Sequence, residues 1–245
     1  MSVRQSGGKR DYQKELDAVL DGIGAGIRNA DALAAGSGKP SLLLHACCAP
    51  CSSYVLEYLV PYFAVTVYYY NPNIYPEEEY RRRLGELRSF LPRFAPARSG
   101  KVRLVEAEYN PEDYFAATDA REDPALQTEP ERGERCRRCY EFRIKKAAEY
   151  AALNGFDWFC TTLSISPFKD APKINTIGEI LEASGKLRSA AGRAAPRFLP
   201  CDFKKRNGFL RSLQLSAEYG LYRQDYCGCV YSWQRRHTAD ASILS

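Results

Sequence analysis

Cys47-Cys48-x-x-Cys51, Cys136-Arg-Arg-Cys139 and Cys227-Gly-Cys229 concentrate seven of the nine cysteines of this sequence into three short groups, leaving Cys160 and Cys201 single. Close groups separated by long stretches are how a chain brings thiolates from several turns to one centre. Cys47, Cys48, Cys136 and Cys139 supply four thiolates, enough for tetrahedral zinc or for a cuboidal iron–sulfur cluster. Neighbouring side chains diverge, so adjacent Cys47 and Cys48 chelate one zinc poorly and suit a bulkier 4Fe-4S cluster. Cys51 is the rival of Cys47 or Cys48 as ligand. Cys227-Gly-Cys229 is a different object: its sulfurs can form a small, easily reduced disulfide or hold a mononuclear metal, and the glycine permits the tight turn either needs.

These thiols need elements to hold them. Leu42, Leu43 and Leu44 read as the end of a buried strand, Pro50 marks a turn, and Ser52 or Ser53 opens a helix carrying Val55, Leu56 and Leu59. Three cysteines therefore sit on one strand-to-helix turn. In a parallel sheet that turn lies at the carboxyl edge, where ligands bind, and the helix start favours anions and lowers the pKa of a thiolate. The glycine pair of Gly36-Ser-Gly-Lys39 is no phosphate loop, because it lacks the preceding strand and upstream glycine.

The rest of the chain alternates strands and helices. Apolar residues at helical spacing predict an N-terminal helix over residues 12–27, with a break at 35–40. Further strands are predicted at 63–70, 102–105 and 156–163. Helices are predicted at 77–91, from Cys139 to a stop at Gly155, from about Ile174 to Gly185, and at 207–219. Residues 119–135 read as an exposed loop, and the chain beyond Trp233 as a loose tail. The expected fold is α/β, a Rossmann-like parallel sheet with helices on both faces, plus the N-terminal helix and a cysteine-rich C-terminal segment. The expected division is an N-terminal helical extension over 1–38, one metal-binding catalytic domain over 39–235, and a tail over 236–245.

A hydrophobic share of 45% is that of an ordinary globular protein. No apolar run reaches the roughly 18 residues of a membrane span, and no secretory signal opens the chain, so a cytoplasmic protein with no membrane partner is expected. Reduced cytosolic thiols argue against a structural disulfide framework. The net charge of +5 is mild, but Arg135, Arg137, Arg138, Arg143, Lys145 and Lys146 flank one cysteine pair and Lys204, Lys205, Arg206 and Arg223 adjoin another. With the tyrosines of residues 68–75 they suit a nucleic acid held by phosphate contacts and base stacking. Of the two histidines, His45 is expected to satisfy a strand end and His237 to be inert.

Seven motifs in order carry a resemblance: Leu44-His-Ala-Cys-Cys-Ala-Pro-Cys-Ser52, Tyr70-Asn-Pro-Asn-Ile74, Glu79-Tyr80-x-Arg82, Glu134-Arg-Cys-Arg-Arg-Cys-Tyr140, Thr161-Thr-Leu-Ser-Ile-Ser-Pro167, Asp202-Phe-Lys-Lys205 and Leu221-Tyr-Arg-Gln-Asp-Tyr-Cys-Gly-Cys-Val-Tyr-Ser232. Over roughly residues 42–232 the sequence resembles the QueH family of epoxyqueuosine reductases. The resemblance implies reduction of the epoxide of epoxyqueuosine to the alkene of queuosine, with the oxygen leaving as water, at the wobble position of tRNA. The implied partners are tRNAs with GUN anticodons (aspartate, asparagine, histidine and tyrosine acceptors) and an external electron donor. It further implies a fold related to the adenine-nucleotide hydrolases, a 4Fe-4S cluster on Cys47, Cys48, Cys136 and Cys139, and Cys227 and Cys229 as a redox-active pair or as ligands of a mononuclear iron with an aspartate such as Asp202. Cys201 lies outside the pattern. Competing readings are a tRNA sulfur transferase on a related fold, which needs an ATP-phosphate loop at the first turn, and a zinc-stabilised RNA-binding module, which would be colourless.

Overall fold

The computed structural model describes residues 10–31, 38–190 and 192–241. Along the chain run α1 (Tyr12–Asp31), β1 (Ser41–His45), α2 (Ala49–Leu59), β2 (Ala64–Tyr69), α3 (Glu77–Phe90), α4 (Ala95–Ser99) and β3 (Arg103–Glu106). Then follow α5 (Pro111–Thr118), α6 (Pro124–Thr128), α7 (Glu134–Leu153), β4 (Trp158–Thr161), α8 (Ala171–Ala183), β5 (Arg197–Phe198), α9 (Gly208–Glu218) and α10 (Val230–Ala241). A single 3-10 turn, Thr162–Ile165, leaves β4.

The strands form one parallel sheet in the order β3-β2-β1-β4-β5. Both faces of its centre are covered, which is why β1 is a continuous apolar run rather than an alternation. Leu42 and Leu44 of β1, Val65 and Val67 of β2 and Cys160 of β4 face one core with α1, α2, α3 and α9. Leu43 and Phe159 face the other with α7 and α8. Chain direction across the sheet reverses at β1, whose neighbours are β2 on one side and β4 on the other. The crevice beyond the carboxyl ends of β1 and β4 is therefore the topological switch point, where open α/β sheets bind ligands.

Several boundaries differ from the sequence-based expectation. Helix α7 begins at Glu134, not Cys139, because the Glu129 carboxylate accepts the backbone N–H of Glu134 at 2.6 Å and of Arg135 at 2.7 Å. Both Cys136 and Cys139 are thus helical. Residues 119–135 are not simply an exposed loop: α6 lies within them and buries Leu126. The two-residue β5 was not foreseen, and α10 replaces the expected loose tail as far as Ala241. Tyr68, Tyr69 and Tyr70 are buried in the cores rather than offered to a partner. The expected break at 35–40 falls largely on residues outside those described, as do 242–245 of the tail. Among the described residues no helix is long and apolar enough to cross a membrane.

Candidate metal centre

At the end of β1 the ring of His45 is wholly buried between β2 and β4. Its Nε2–H donates to the Tyr70 carbonyl at 3.2 Å, which leaves Nδ1 to accept from the Thr161 hydroxyl at 2.8 Å. Burial, reinforced by the nearby Arg143 charge, lowers its pKa to about 3, so the ring is neutral. His45 is thus a tie between strands, and it fixes where the next residues leave the sheet.

Those residues are the first thiols. Cys48, extended, precedes α2, and Pro50 occupies the first turn, where its missing N–H is no loss. The Sγ atoms of Cys47, Cys48 and Cys51 lie within 4.8 Å of one another. Hydrogen bonds from Cys48 and Cys51 hold Cys47 well below the ordinary thiol pKa, with Arg143 and Lys169 adding to the effect. The donors move the opposite way: Cys48 is pushed up to about 12 and Cys51 well above its usual value. One thiolate cradled by two thiols is a ready cation-binding donor set.

The mid-chain and C-terminal thiols meet from the other side. Cys136, Cys139 or Tyr140, and Arg143 follow the i, i+3 or i+4, i+7 rule and share one face of α7. Cys227 and Cys229 flank Gly228, whose φ of +116° is open only to glycine; a Cβ there would also stand 3.0 Å from Arg83 Nη1. The Cys227 and Cys229 sulfurs are 3.6 Å apart. The contact with Cys229 lowers the Cys227 pKa well below the ordinary value, with help from Lys169, while that of Cys229 rises. Burial raises Cys136 to about 11 and also raises Cys139.

Cys136, Cys139, Cys227 and Cys229 line one small cavity with Arg143 and Lys169. A neighbouring cavity of about 330 Å³ is walled by Cys47, Cys51, Lys169 and again Cys227, with Phe168 and Tyr226 at its sides. Cys47, Cys48 and Cys136 also pack in one core cluster. Cys227 and Lys169 therefore border both hollows, and three separate segments bring their sulfurs to one region of the carboxyl edge.

The surroundings are cationic and incompletely satisfied. Arg83 is 1% exposed, pairs with Glu79 at 2.6 Å, and has Nη1 and Nη2 buried without hydrogen-bond partners. Arg143 gives Nη2 to Asn71 Oδ1 at 2.5 Å, and its Nε is unpartnered. Buried polar groups are rarely left unpaired. Orphan donors aimed among thiolates fit a negatively charged, thiolate-held group such as an iron–sulfur cluster, and the trio of Cys47, Cys48 and Cys51 is able to hold a metal ion.

Other expected residues lie elsewhere. Asp202 pairs with Lys204 at 2.6 Å in a separate cavity, and no hydrogen bond joins it to a thiol among the described residues. Cys160 and Cys201, 3.6 Å apart, are buried in the core. Arg135 is fully buried and donates to the carbonyls of Leu126, Gln127 and Glu129, so it is a structural brace and not an RNA contact. Arg137 and Arg138 pair with Glu134, and Arg206 with Asp17. Sequence reading missed Arg83, Glu131, Lys169, Gln224 and Tyr226 as site residues. Lys169 ends the loop leaving β4, and its place at the switch point was the available signal.

A parallel α/β domain that gathers thiols and buried cations at its switch point defines a thiol-based metal-binding enzyme. The family model described as "Epoxyqueuosine reductase QueH" matches residues 42–235. A protein of that name from Streptococcus pyogenes serotype M1 is 42% identical over 196 residues, 80% of this chain and 71% of its own. Its counterpart from Staphylococcus epidermidis is 38% identical over 194 residues, 79% of this chain and 76% of its own. The chain belongs to the epoxyqueuosine reductase QueH family and is an oxidoreductase of queuosine biosynthesis. A solved structure, the U34-tRNA thiolase NcsA from Methanococcus maripaludis with its 4Fe-4S cluster, is similar at 11% identity and a TM-score of 0.42 over 98% of this chain and 80% of that one, too distant for anything to be transferred.

Proposed function

We propose that this enzyme reduces epoxyqueuosine within tRNA at the 330 Å³ cavity, with Cys47, Cys48, Cys136 and Cys139 holding a 4Fe-4S cluster and Cys227 and Cys229 acting as the second redox site. Cys51, which shares the first turn, is the alternative fourth ligand. Bound there, the cluster would supply electrons one at a time from an external donor. The expected site of action is the cytoplasm, where tRNA is modified, on GUN anticodons.

The observation that carries this reading is that Cys227 borders both the thiol-lined hollow and the open cavity. Removing an epoxide oxygen as water consumes two electrons and two protons, and the oxidation of a dithiol to a disulfide releases the same. The pKa of Cys227 is lowered and that of Cys229 raised by their mutual contact, so the pair would readily hold one proton between its two sulfurs and give up the rest on oxidation. The Lys169 ammonium, in the wall shared with Cys227, would hold the epoxide oxygen and protonate it as the C–O bond breaks. Phe168, 66% exposed at the mouth, offers a face for the modified base.

The test is to incubate anaerobic protein with tRNA carrying epoxyqueuosine and a low-potential reductant, then to weigh the nucleosides. A product lighter by one oxygen is expected, and Cys227→Ser should keep tRNA binding but lose turnover. Wild-type turnover by Cys227→Ser would remove the dithiol from the scheme, and iron bound to Cys227 and Cys229 would replace it with a mononuclear site.

A further inference from the structure

The substrate nucleotide is one link of a polymer, so the chain on either side of it must leave the 330 Å³ cavity along the protein surface. Two grooves adjoin that cavity. One, of about 460 Å³, shares Pro167 and Lys169 with it and is lined by Arg10, Arg132, Lys204 and Lys205. The other, of about 310 Å³, shares Asp225 and Tyr226 with it and is lined by Tyr222, Trp233 and His237 together with Arg82 and Arg236. In the first, Arg10, Arg132, Lys169, Lys204 and Lys205 outnumber Asp11, Asp170 and Asp202. Lys204 pairs with Asp202 and Arg10 with Glu15 and Glu179, but the wall is net positive and suits a phosphate path. The second does not.

In the second groove the basic residues are already engaged: Arg236 pairs with Asp225 at 3.0 Å, and the Arg82 guanidinium lies 3.3 Å from the centre of the Tyr222 ring. Glu78 and Asp225 add exposed carboxylates to its walls. A phosphate would be repelled there, whereas a base could stack on an aromatic face and give its ring N–H to a carboxylate. Trp233 stands at the centre, edge-on to Tyr75 with ring centroids 5.4 Å apart and stacked on His237 at 4.2 Å. His237 is exposed, so its ring can give way to a base that takes the same place.

We propose that this aromatic groove is a second nucleotide subsite, which holds the base of a nucleotide adjoining the modified one and so reads the anticodon beyond its wobble position. The assignment rests on the 330 Å³ cavity taking the modified nucleotide. One face of helix α10, which continues the chain directly from Cys229, carries Trp233, Arg236 and His237 into this groove.

The test uses iron-loaded, full-length protein and synthetic anticodon stem-loops that carry an abasic site at either neighbour of the wobble nucleotide. For wild type, one of the two abasic loops should bind on the order of tenfold more weakly than the intact loop. Trp233→Ala should weaken the intact loop by a similar factor and be indifferent to that abasic site, while Trp233→Phe restores the discrimination. With tRNA carrying epoxyqueuosine, Trp233→Ala should raise KM about tenfold and leave kcat within about twofold. Additive losses for Trp233→Ala and the abasic site, or unchanged stem-loop binding, would overturn the subsite. Loss of kcat with intact binding discrimination would instead point to an error in the cavity assignment. Tyr222→Leu, in the same groove but outside α10, should reproduce the coupling if Trp233→Ala fails to fold.

Discussion

The side-chain amide of Gln224 donates to Cys48 Sγ across 3.3 Å, a contact that spans 176 residues of sequence. It ties the C-terminal segment to the first thiol turn. The amide oxygen of the same residue is buried without a partner, so the group is held for what its N–H₂ does.

Hydrogen bonds to ligating sulfur stabilise the more negative, reduced state and so raise a reduction potential. Gln224→Leu should therefore lower the midpoint potential of the iron-loaded protein while its iron content stays that of wild type. Potentiometric titration followed by visible absorbance reads this directly. An unchanged potential would show that the amide is only a packing contact.

Glu79 and Arg83 form a buried ion pair, their side chains 9% and 1% exposed, and the Tyr222 hydroxyl donates to Glu79 at 3.1 Å. Truncating one charge of such a pair leaves the other buried and uncompensated, which costs about 3–5 kcal/mol. Glu79→Gln should destabilise the protein on that scale in urea unfolding. The double replacement Glu79→Leu with Arg83→Met should recover much of the stability but still impair the site, because the Arg83 charge also favours the Cys48 thiolate. If the double variant were less stable than Glu79→Gln, the pair would contribute more to the fold than its desolvation removes.

How much of this was legible before the coordinates depended on whether the signal was local. The turn that carries Cys47, Cys48 and Cys51 was readable from the triple leucine and the proline, which are neighbours in sequence. The helix, however, opens at Ala49 after Cys48, and the expected caps Ser52 and Ser53 lie inside it with their hydroxyls donating to the Cys48 and Pro50 carbonyls. The start of α7 was not, because its cap is Glu129, a side chain five residues upstream that closes back on Glu134. A start at Glu134 takes Arg135 into the helix, where it is buried as Arg143 is, so part of an apparent basic surface is buried bracing. The same limit hid α10, whose Val230, Tyr231 and Trp233 find their partners in α5, α6 and the Tyr75 turn rather than nearby. Charge density near cysteines was a poor guide to RNA contacts, since Arg137, Arg138, Lys145 and Lys146 are paired along their own helix.

His45 gives a pH prediction with a definite sign. Its folded pKa of about 3 lies below the ordinary 6.5, so between those values the unfolded chain binds the extra proton. Stability from this residue is complete above pH 6.5 and is lost as pH falls toward 3. At pH 5, one and a half pH units at about 1.4 kcal/mol each amount to a loss of about 2 kcal/mol. His45→Gln should be less stable than wild type at pH 8 but show a flatter decline of melting temperature between pH 7 and 5. Parallel declines would mean that His45 titrates in the folded protein near its ordinary value.

Cys160 and Cys201 provide the complementary case of thiols buried in the core away from both cavities. Their sulfurs are 3.6 Å apart, but both residues are at most 1% exposed, and Cys160 also reaches the Leu199 carbonyl at 3.5 Å. Burial and the neighbouring thiol push Cys160 well above the ordinary pKa, which disfavours the thiolate that metals and oxidants require. They behave as small apolar side chains that fill the space between β4 and the turn after β5. Cys160→Ala should lower stability by about 1–2 kcal/mol through the small void it leaves. Iron content and turnover should remain those of wild type, in contrast to Cys47→Ala, where both should fall. Loss of iron from Cys160→Ala, measured colorimetrically on the folded variant, would extend the metal-binding set below the sheet edge and require a different account of the core.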